Sequence, residues 1–521
     1  MNTTHDTQTL YADSVIYHVY LPCFCDGLGE GVGNVEGLTS KLDYLAELGV
    51  NTLLIEGYQV GIGAESTQDA SLAALLSDCK AKGLQVLLDM PIASTAIDHP
   101  WFAQSAEGSA EFADYYAWSV GRGNGKAAPE GKRIDGEPIW RQYATGKWYR
   151  QYLGRPMLNL AFTPVRTAIV EAARRYLFLG VNGFVWDVRY LLGIDEKDKR
   201  QWLGDLCRDV RLQNPACIVV LRAEGVAPDE LQGYPFASGI TATTIMPRKP
   251  TLRKSKPNVR NFKHTLSTLQ KAAFGRFVPT LYAENASSPR CLSTIGGEFG
   301  DFRKEAVTSI AAATTLLYGA AQVYQGQEIG MQNYHFAHAA DITDPRYYRM
   351  THTKWTRLAP VDKLICKAVS HSAADNARTA MQWTGLLPNA GFSTSRTPQV
   401  FVNPNYTEIN VQSSMENETG TVHFFRKLFA LRKDKSLSPA FKYGTYREYY
   451  HGDKNLYVYT RSYKGTTIIV VCNLQNAYVT FSVPNDLAFH QAELLLHNYD
   501  MPAHLGNATL RPYECIVYRL K

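Results

Sequence analysis

Short β-rich runs alternate with amphipathic helical stretches through most of this chain, and this alternation constrains the fold more than any other feature. Strands that are separated by helices cannot pair as tight hairpins, so the pattern favours an α/β fold in which helices wrap a parallel sheet. Seven strands are predicted, nearly the eight that close a barrel: Val15–Tyr20, Asn51–Glu56, Gln85–Met90, Gly183–Val188, Cys217–Arg222, Val278–Glu284 and Gln322–Gln325.

The alternation is interrupted twice. About ninety residues separate the third predicted strand from the fourth, and they include the glycine-rich, charged stretch VGRGNGKAAPEGKRIDGEP, which indicates an inserted subdomain. From about Phe441 onward, strands follow one another without helices, as in NLYVYTRSY, TTIIVVCNL and YECIVYRL, which predicts an antiparallel β domain. The predicted organisation is therefore residues 1–97 and 161–440 for the first domain, 98–160 for the insertion and 441–521 for the last domain.

Composition narrows the function classes. A net charge of +6 over 521 residues is too mild to indicate a nucleic-acid or membrane partner. The polar start MNTTHDTQTLYADS lacks a secretory apolar region, and no run of 18 apolar residues occurs, so we expect a cytoplasmic protein. The nine cysteines are odd in number and lack metal-ligand spacing, which favours reduced thiols. The oligomeric state stays open.

Several motifs occur in an order typical of one enzyme family. VIYHVYLPCFCDG opens the first strand, DHPWF and DYYAW lie in the insertion, and YQGQEIGM, DNARTAMQW, NAGF and VNPNY follow the last predicted barrel strand. In this order they resemble glycoside hydrolase family 13, and specifically its oligo-1,6-glucosidase and α-glucosidase branch. The resemblance covers almost the whole chain. It implies a (β/α)8 TIM barrel with a subdomain inserted after the third strand and a C-terminal antiparallel β domain.

Two carboxylates stand where such a barrel places its chemistry, at the carboxyl ends of strands. Asp187, in GFVWDVRY, matches the position of the family's nucleophile, and Glu224, in VVLRAEGV, matches that of its acid/base. Such a pair hydrolyses glycosides with retention when the carboxyl groups lie roughly 5 Å apart. The alternative interpretation is that both are ordinary strand-end acids at a solvated barrel rim.

The resemblance implies a sugar site that also includes Tyr58, Asp89, Glu284, Asn285 and Arg290. Other family positions have lost their sugar-binding side chains. The arginine two residues before the nucleophile is replaced by a valine, an Asn-His pair by Ala-Ser, and the His-Asp of the seventh-strand motif by a second Ala-Ser; the residues are Val185, Ala93, Ser94, Ala286 and Ser287.

The loop after the second strand has changed too. The family's Gly-Tyr-Asp segment is absent, and GYQVGIGAES leads into a helix predicted to begin near Ser66 or Thr67. Removing one preorganised contact to the transition state typically costs about 100- to 1000-fold in rate. We therefore expect degenerate active-site motifs, in which ordinary hydrolysis is lost or strongly reduced.

A basic run is particular to this chain. RKPTLRKSKPNVRNFKH extends from Arg248 to His264, contains no acidic residue and should follow the sixth strand. It is either a solvated loop leading into a helix or an anion site for a sugar phosphate or acidic glycan, formed by Arg248, Lys249, Arg253 and Lys254.

The first loop resembles a calcium-binding loop of the family, DGLGEGVGN, in which Asp26 is kept but Leu28 stands where an oxygen ligand is needed. We therefore expect no metal and no other cofactor.

Three functions remain open. The first is a degenerate or repurposed family-13 protein that binds a sugar-like ligand, supported by the missing contacts. The second is an active retaining α-glycosidase or transglycosidase that acts on an unusual α-glucoside, with a phosphorylated one among the candidates, supported by Asp187 and Glu224. The third is a non-catalytic scaffold that binds another protein. The expected ligand is a small saccharide or sugar phosphate.

Overall fold

The computed structural model of the chain describes residues 3–63, 66–123, 127–131, 133–134, 137–191, 194–226, 230–241, 258–295 and 301–521. Eight parallel strands form its central sheet. In chain order they are β1 (Val15–Tyr20), β2 (Thr52–Glu56), β3 (Gln85–Asp89), β4 (Gly183–Asp187), β5 (Ile218–Arg222), β6 (Gly239–Thr241), β7 (Thr280–Leu281) and β8 (Ala320–Tyr324).

The sheet closes into a barrel. Each strand pairs in parallel with its sequence neighbour, and β8 pairs with β1. A parallel bridge between Ile240 and Pro279 joins β6 to β7, and the Ile240 amide donates to Val278 O across 2.9 Å. The predicted TIM barrel is thereby confirmed, and the carboxyl ends of all eight strands lie at one end of it.

The barrel interior has two layers of opposite character. Alternate residues of a strand face the same side, so positions two apart lie one above the other inside the barrel. The lower layer is apolar and includes Ile16, Leu54, Leu87, Val185, Val220 and Ala320. Two residues further along the same strands, the upper layer is polar and consists of His18, Glu56, Asp89, Asp187, Arg222 and Gln322.

The first helix, Thr3–Ala12, closes the amino end of the barrel. Tyr11 packs in the lower apolar layer, and its hydroxyl lies 2.6 Å from Thr280 Oγ1. Its ring lies against Gly239, where an added Cβ would come within 2.0 Å of Tyr11 Cε1. A glycine is therefore required at the start of β6 by this close approach.

Helices surround the barrel, each burying one face against it. The longer ones are Leu42–Leu48, Asp69–Ala81, Thr163–Leu179, Glu196–Gln213, Val259–Ala273, Arg303–Thr315 and Thr421–Lys433. The insertion after β3 begins with the helix Pro100–Glu107 and continues with short antiparallel strands, among them Trp118–Ser119, Trp140–Gln142, Trp148–Tyr152 and Arg155–Pro156.

The C-terminal domain is antiparallel, as predicted. Its main sheet contains Thr445–Tyr449, Leu456–Tyr463, Thr466–Asn473, Cys515–Leu520 and Ala492–His497, in that spatial order, and a second sheet pairs Val479–Phe481 with Ala508–Leu510. Lys263 connects this domain to the barrel, because its buried ammonium group donates to the carbonyl oxygens of Tyr450, Asp453 and Leu456.

The sequence pattern missed one strand and overestimated the length of another. β6 spans three residues, Gly239–Thr241, too few to show a hydrophobic alternation, and β7 covers Thr280–Leu281 rather than the predicted Val278–Glu284. Within the described part of the chain, no helix is long and apolar enough to cross a membrane.

Candidate active site

The carboxylate of Asp187 lies at the end of β4 beside an arginine of the next strand. The parallel register places Asp187 opposite Arg222, whose Nη1 lies 3.9 Å from Asp187 Oδ2 and 3.5 Å from Asp89 Oδ1. Asp187 is buried and Asp89 is partly exposed. The guanidinium group thus stands between two acids that the sequence assigns to the sugar site.

A third carboxylate, Glu56 at the end of β2, binds the same arginine more closely. Arg222 Nη2 donates to Glu56 Oε2 across 3.0 Å, and His18 Nε2 lies 3.0 Å from the same oxygen. Behind His18, Gln322 Nε2 lies 3.3 Å from His18 Nδ1. Burial opposes the charge of Glu56, but Arg222, His18 and Arg378 outweigh this effect and hold the pKa of Glu56 far below its usual range.

Glu224 lies beyond the end of β5, two residues after Arg222. Its Oε1 accepts hydrogen bonds from Tyr282 Oη and Asn285 Nδ2, each 2.8 Å long. Asn285 is itself held, because its Oδ1 accepts from the Ser287 amide across 2.9 Å. The segment after β7 therefore fixes the side chain of Glu224, and the predicted residues Asn285 and Glu224 are in direct contact.

The chain matches a known family. The sequence profile described as the catalytic domain of α-amylase matches residues 62–213 and 233–443. The chain belongs to this family. A second profile, the C-terminal domain of maltogenic amylase, matches residues 446–517.

Relatives within the α-amylase family match almost end to end. The oligo-1,6-glucosidase of Parageobacillus thermoglucosidasius is 28% identical, over 98% of this chain and 99% of that enzyme. The trehalose-6-phosphate hydrolase of Bacillus subtilis strain 168 is 26% identical, over 97% of each. The predicted membership of family 13, in the oligo-1,6-glucosidase branch, is confirmed.

Solved structures share the fold. The trehalose-6-phosphate hydrolase of Bacillus licheniformis superposes with a TM-score of 0.86 at 24% identity, covering 98% of this chain and 99% of that one. The trehalulose synthase of Pseudomonas mesoacidophila MX-45 gives the same values.

Three residues that the family resemblance assigned to the sugar site make internal contacts with other side chains. Tyr58 is buried, and its hydroxyl donates to Asp69 Oδ1 across 2.8 Å. Asp69 is the first residue of a helix whose N-cap is Gln68, next to the predicted start at Ser66 or Thr67. Glu284 and Arg290 are 1% and 0% exposed and form a 3.0 Å ion pair with each other. These side chains make internal contacts within the α-amylase barrel, and their part in a sugar site stays a prediction.

The positions that lost their family side chains are partly filled from other elements. Arg155, from the insertion, donates from Nε to Ser94 Oγ across 3.1 Å. Ala286 packs in a small buried cluster with Tyr324 and Ala377, and its carbonyl accepts from Arg378 Nε across 2.9 Å. The pocket is therefore remodelled at these two places.

The predicted anion residues Arg248, Lys249, Arg253 and Lys254 lie outside the described residues. The described end of the same basic run has another role, since Lys263 is buried against the C-terminal domain.

The first loop is held by protein donors. The Asp26 carboxylate accepts five hydrogen bonds, from three backbone amides and from the side chains of Asn34 and Ser393. Burial raises the pKa of Asp26, but these hydrogen bonds outweigh it and lower the pKa overall. In the described parts of the chain, no group of three or more His, Cys, Asp or Glu side chains has the geometry to hold a metal ion.

Sequence reasoning missed two charged residues of the site, Arg222 and Glu56. Both are charged residues that end otherwise apolar strand runs, IVVLR and TLLIE. A charge at the carboxyl end of a barrel strand was the available signal, because that end lines the active-site face.

Proposed function

We propose that this chain is a retaining α-glycosidase or transglycosidase in which Asp187 is the nucleophile and Glu224 the acid/base. One observation carries the proposal: the two carboxylates lie at the carboxyl ends of successive strands, Asp187 as the last residue of β4 and Glu224 two residues beyond β5. Arg222 stands beside Asp187, and Tyr282 and Asn285 bind Glu224. Fixed donors of this kind keep catalytic groups in place without reorganisation during the reaction.

Each residue then has a defined step. Glu224 protonates the glycosidic oxygen while Asp187 attacks the anomeric carbon, which gives a covalent glycosyl-enzyme and releases the leaving sugar. For this step Glu224 is held through Oε1, which accepts hydrogen bonds from Tyr282 and Asn285. In the second step Glu224 removes a proton from water or from a sugar hydroxyl, and that oxygen displaces Asp187.

The substrate class that we propose is a small α-linked glucoside. Relatives named oligo-1,6-glucosidase and trehalose-6-phosphate hydrolase support it. A phosphorylated substrate is the variant that the basic run would favour, since Arg248 follows the end of β6 by seven residues and arginine pairs well with phosphate.

A second candidate is a protein that binds a sugar-like ligand while hydrolysing it poorly. The changed positions favour it: Val185 and Ala93 are buried and apolar, and Tyr58, Glu284 and Arg290 are committed to internal contacts. Under this candidate, Asp187 and Glu224 are kept, but the neighbouring side chains that would bind the sugar are missing.

The test is turnover of an aryl α-glucoside, isomaltose, trehalose and trehalose-6-phosphate at high enzyme concentration. Wild type is compared with Asp187→Asn and with Asp78→Asn, an exposed acid on the helix Asp69–Ala81. Turnover by wild type and by Asp78→Asn, with loss in Asp187→Asn, supports the glycosidase. If none of the three proteins turns over any of these substrates, the glycosidase proposal is rejected.

Binding measurements follow a silent result. Saturable binding on a glycan array would support the second candidate, whereas a co-purifying protein without sugar binding would indicate the scaffold.

We also propose that the protein needs no metal, because the Asp26 carboxylate is already satisfied by protein donors. All nine cysteines are buried free thiols, which supports a reducing compartment such as the cytoplasm.

A further inference from the structure

The polar layer of the barrel contains three carboxylates and one guanidinium group. Glu56, Asp89 and Asp187 come from three successive strands, and Arg222 is the permanent cation among the six residues of this layer. Like charges this close destabilise one another in a partly buried site unless a cation lies between them. Arg222 occupies that position, since its two Nη atoms reach all three acids.

The contacts of Arg222 differ in strength. The 3.0 Å contact to Glu56 is a charged hydrogen bond, whereas the distances to Asp89 and Asp187 are 3.5 and 3.9 Å. Glu56 therefore makes the strongest contact with Arg222, through Nη2. The other terminal nitrogen, Nη1, faces Asp89 and Asp187.

Glu56 is fixed in turn by a residue of the neighbouring strand. His18 of β1 contacts the same oxygen as Arg222, and Gln322 of β8 contacts the far nitrogen of the His18 ring. If Gln322 Nε2 donates to Nδ1, the ring proton lies on Nε2 and points at Glu56. This chain of contacts runs from β8 through β1 and β2 to β5 and orients the guanidinium group.

We propose that Arg222 is a positioning residue for Asp187 and that Glu56 acts on the reaction through Arg222. The guanidinium group lies 3.9 Å from the Asp187 carboxylate and restrains it on the side of β5. On β4 itself the side chain below Asp187 is Val185, which cannot supply a charge. The cation instead comes from the neighbouring strand, directly opposite Asp187 in the register. This inference rests on the proposed function, in which Asp187 is the nucleophile.

The experiment compares kcat and KM for wild type, Arg222→Gln, Arg222→Lys, Glu56→Gln and the double variant Arg222→Gln/Glu56→Gln. Arg208→Gln is the matched control, because Arg208 also pairs with two acids but lies exposed on the helix Glu196–Gln213. Circular dichroism establishes that each variant is folded, and Arg222→Lys retains the charge if Arg222→Gln does not fold.

We expect Arg222→Gln to lower kcat by about 100-fold while KM changes little, as for the loss of one preorganised electrostatic partner. Arg222→Lys should recover part of kcat. Glu56→Gln should lower kcat less, and the double variant should be no worse than Arg222→Gln, because both changes interrupt one chain of contacts.

Wild-type kcat in Arg222→Gln, with Asp187→Asn inactive, would overturn the positioning role and leave the proposed function intact. Independent, multiplying losses from Arg222→Gln and Glu56→Gln would overturn the role of Glu56. If wild type itself has no turnover, the proposed function fails. The free energies of unfolding of Arg222→Gln, Asp187→Asn and their double variant then decide whether the pair interacts, and a coupling of zero overturns the inference.

Discussion

Arg222 and Glu56 form a 3.0 Å ion pair inside the barrel although 166 positions separate them in the chain. They end β5 and β2, and both side chains belong to the polar layer directly above the apolar filling of the barrel. This pair orients the arginine that faces Asp187. Its contribution to stability can be tested separately from its part in the reaction.

Glu56→Gln should destabilise the protein at neutral pH but not in acid. Because Arg222, His18 and Arg378 lower the pKa of Glu56 in the folded state below its ordinary value of 4.5, the ionised form stabilises the fold above about pH 4.5. That stabilisation is lost as the pH falls toward the lower folded pKa. We expect wild type to exceed Glu56→Gln by about 2 kcal/mol in free energy of unfolding at pH 7.

The difference should shrink progressively below pH 4.5, and urea titrations at pH 7, 5, 4 and 3 measure it. Glu47→Gln is the control, because Glu47 forms an exposed pair with Arg426. A difference that does not change with pH would contradict the prediction.

Glu224→Gln should affect substrates according to their leaving groups. General acid catalysis contributes typically 100- to 10,000-fold, and an aryl glucoside with an acidic phenol needs little of it. We expect a large loss of kcat/KM on a disaccharide and a much smaller one on the aryl glucoside. Parallel steady-state assays on both substrates measure the ratio. Equal losses would count against Glu224 as the acid.

Asp26→Asn should destabilise the first loop. The amide NH2 group of asparagine would face groups that now donate to the carboxylate, so at least one of the five hydrogen bonds would be lost. Such a loss in a buried charged site costs about 3 kcal/mol in the free energy of unfolding. Thermal unfolding of Asp26→Asn and of the exposed-site control Asp43→Asn measures this.

Chelation of divalent ions by EDTA should leave the wild-type Tm unchanged, because protein donors already surround the Asp26 carboxylate. A lower Tm after chelation, restored by calcium, would contradict the proposal that no metal is needed.

Lys263→Met should weaken the attachment of the C-terminal domain. Three backbone carbonyl oxygens lose a charged donor, at a cost of about 3 kcal/mol in the free energy of unfolding. Lys271→Met, on the same helix but exposed, should stay within about 0.5 kcal/mol of wild type. Chemical denaturation of both variants provides the comparison, and equal stabilities would show that Lys263 does not hold the domain.

Gly239→Ala should be destabilising because of Tyr11 and not because of the backbone. The added Cβ would overlap the Tyr11 ring, and overpacking of this kind costs about 2 kcal/mol. In a Tyr11→Ala background the same substitution should cost almost nothing. Gly452→Ala is the control, since an added Cβ there meets no atom within 4 Å. A full cost in the Tyr11→Ala background would contradict the packing explanation.

The sequence by itself determined the barrel, the C-terminal β domain and the positions of Asp187 and Glu224. These features depend on local periodicity and on motifs that lie within a single strand and the turn after it, so neighbouring residues carry the signal. β6 escaped that reasoning because three residues are too few to show a period.

The partners of the two carboxylates were decided by the tertiary structure. Arg222, Glu56 and His18 meet because barrel closure and strand register bring the ends of β5, β2 and β1 into one layer, and no local pattern encodes that meeting. Closure likewise turned Glu284 and Arg290 into a fully buried ion pair, although their motif resembled a sugar site. Sequence gives the identity of a charge, whereas only packing gives the groups that surround it and hence its energy.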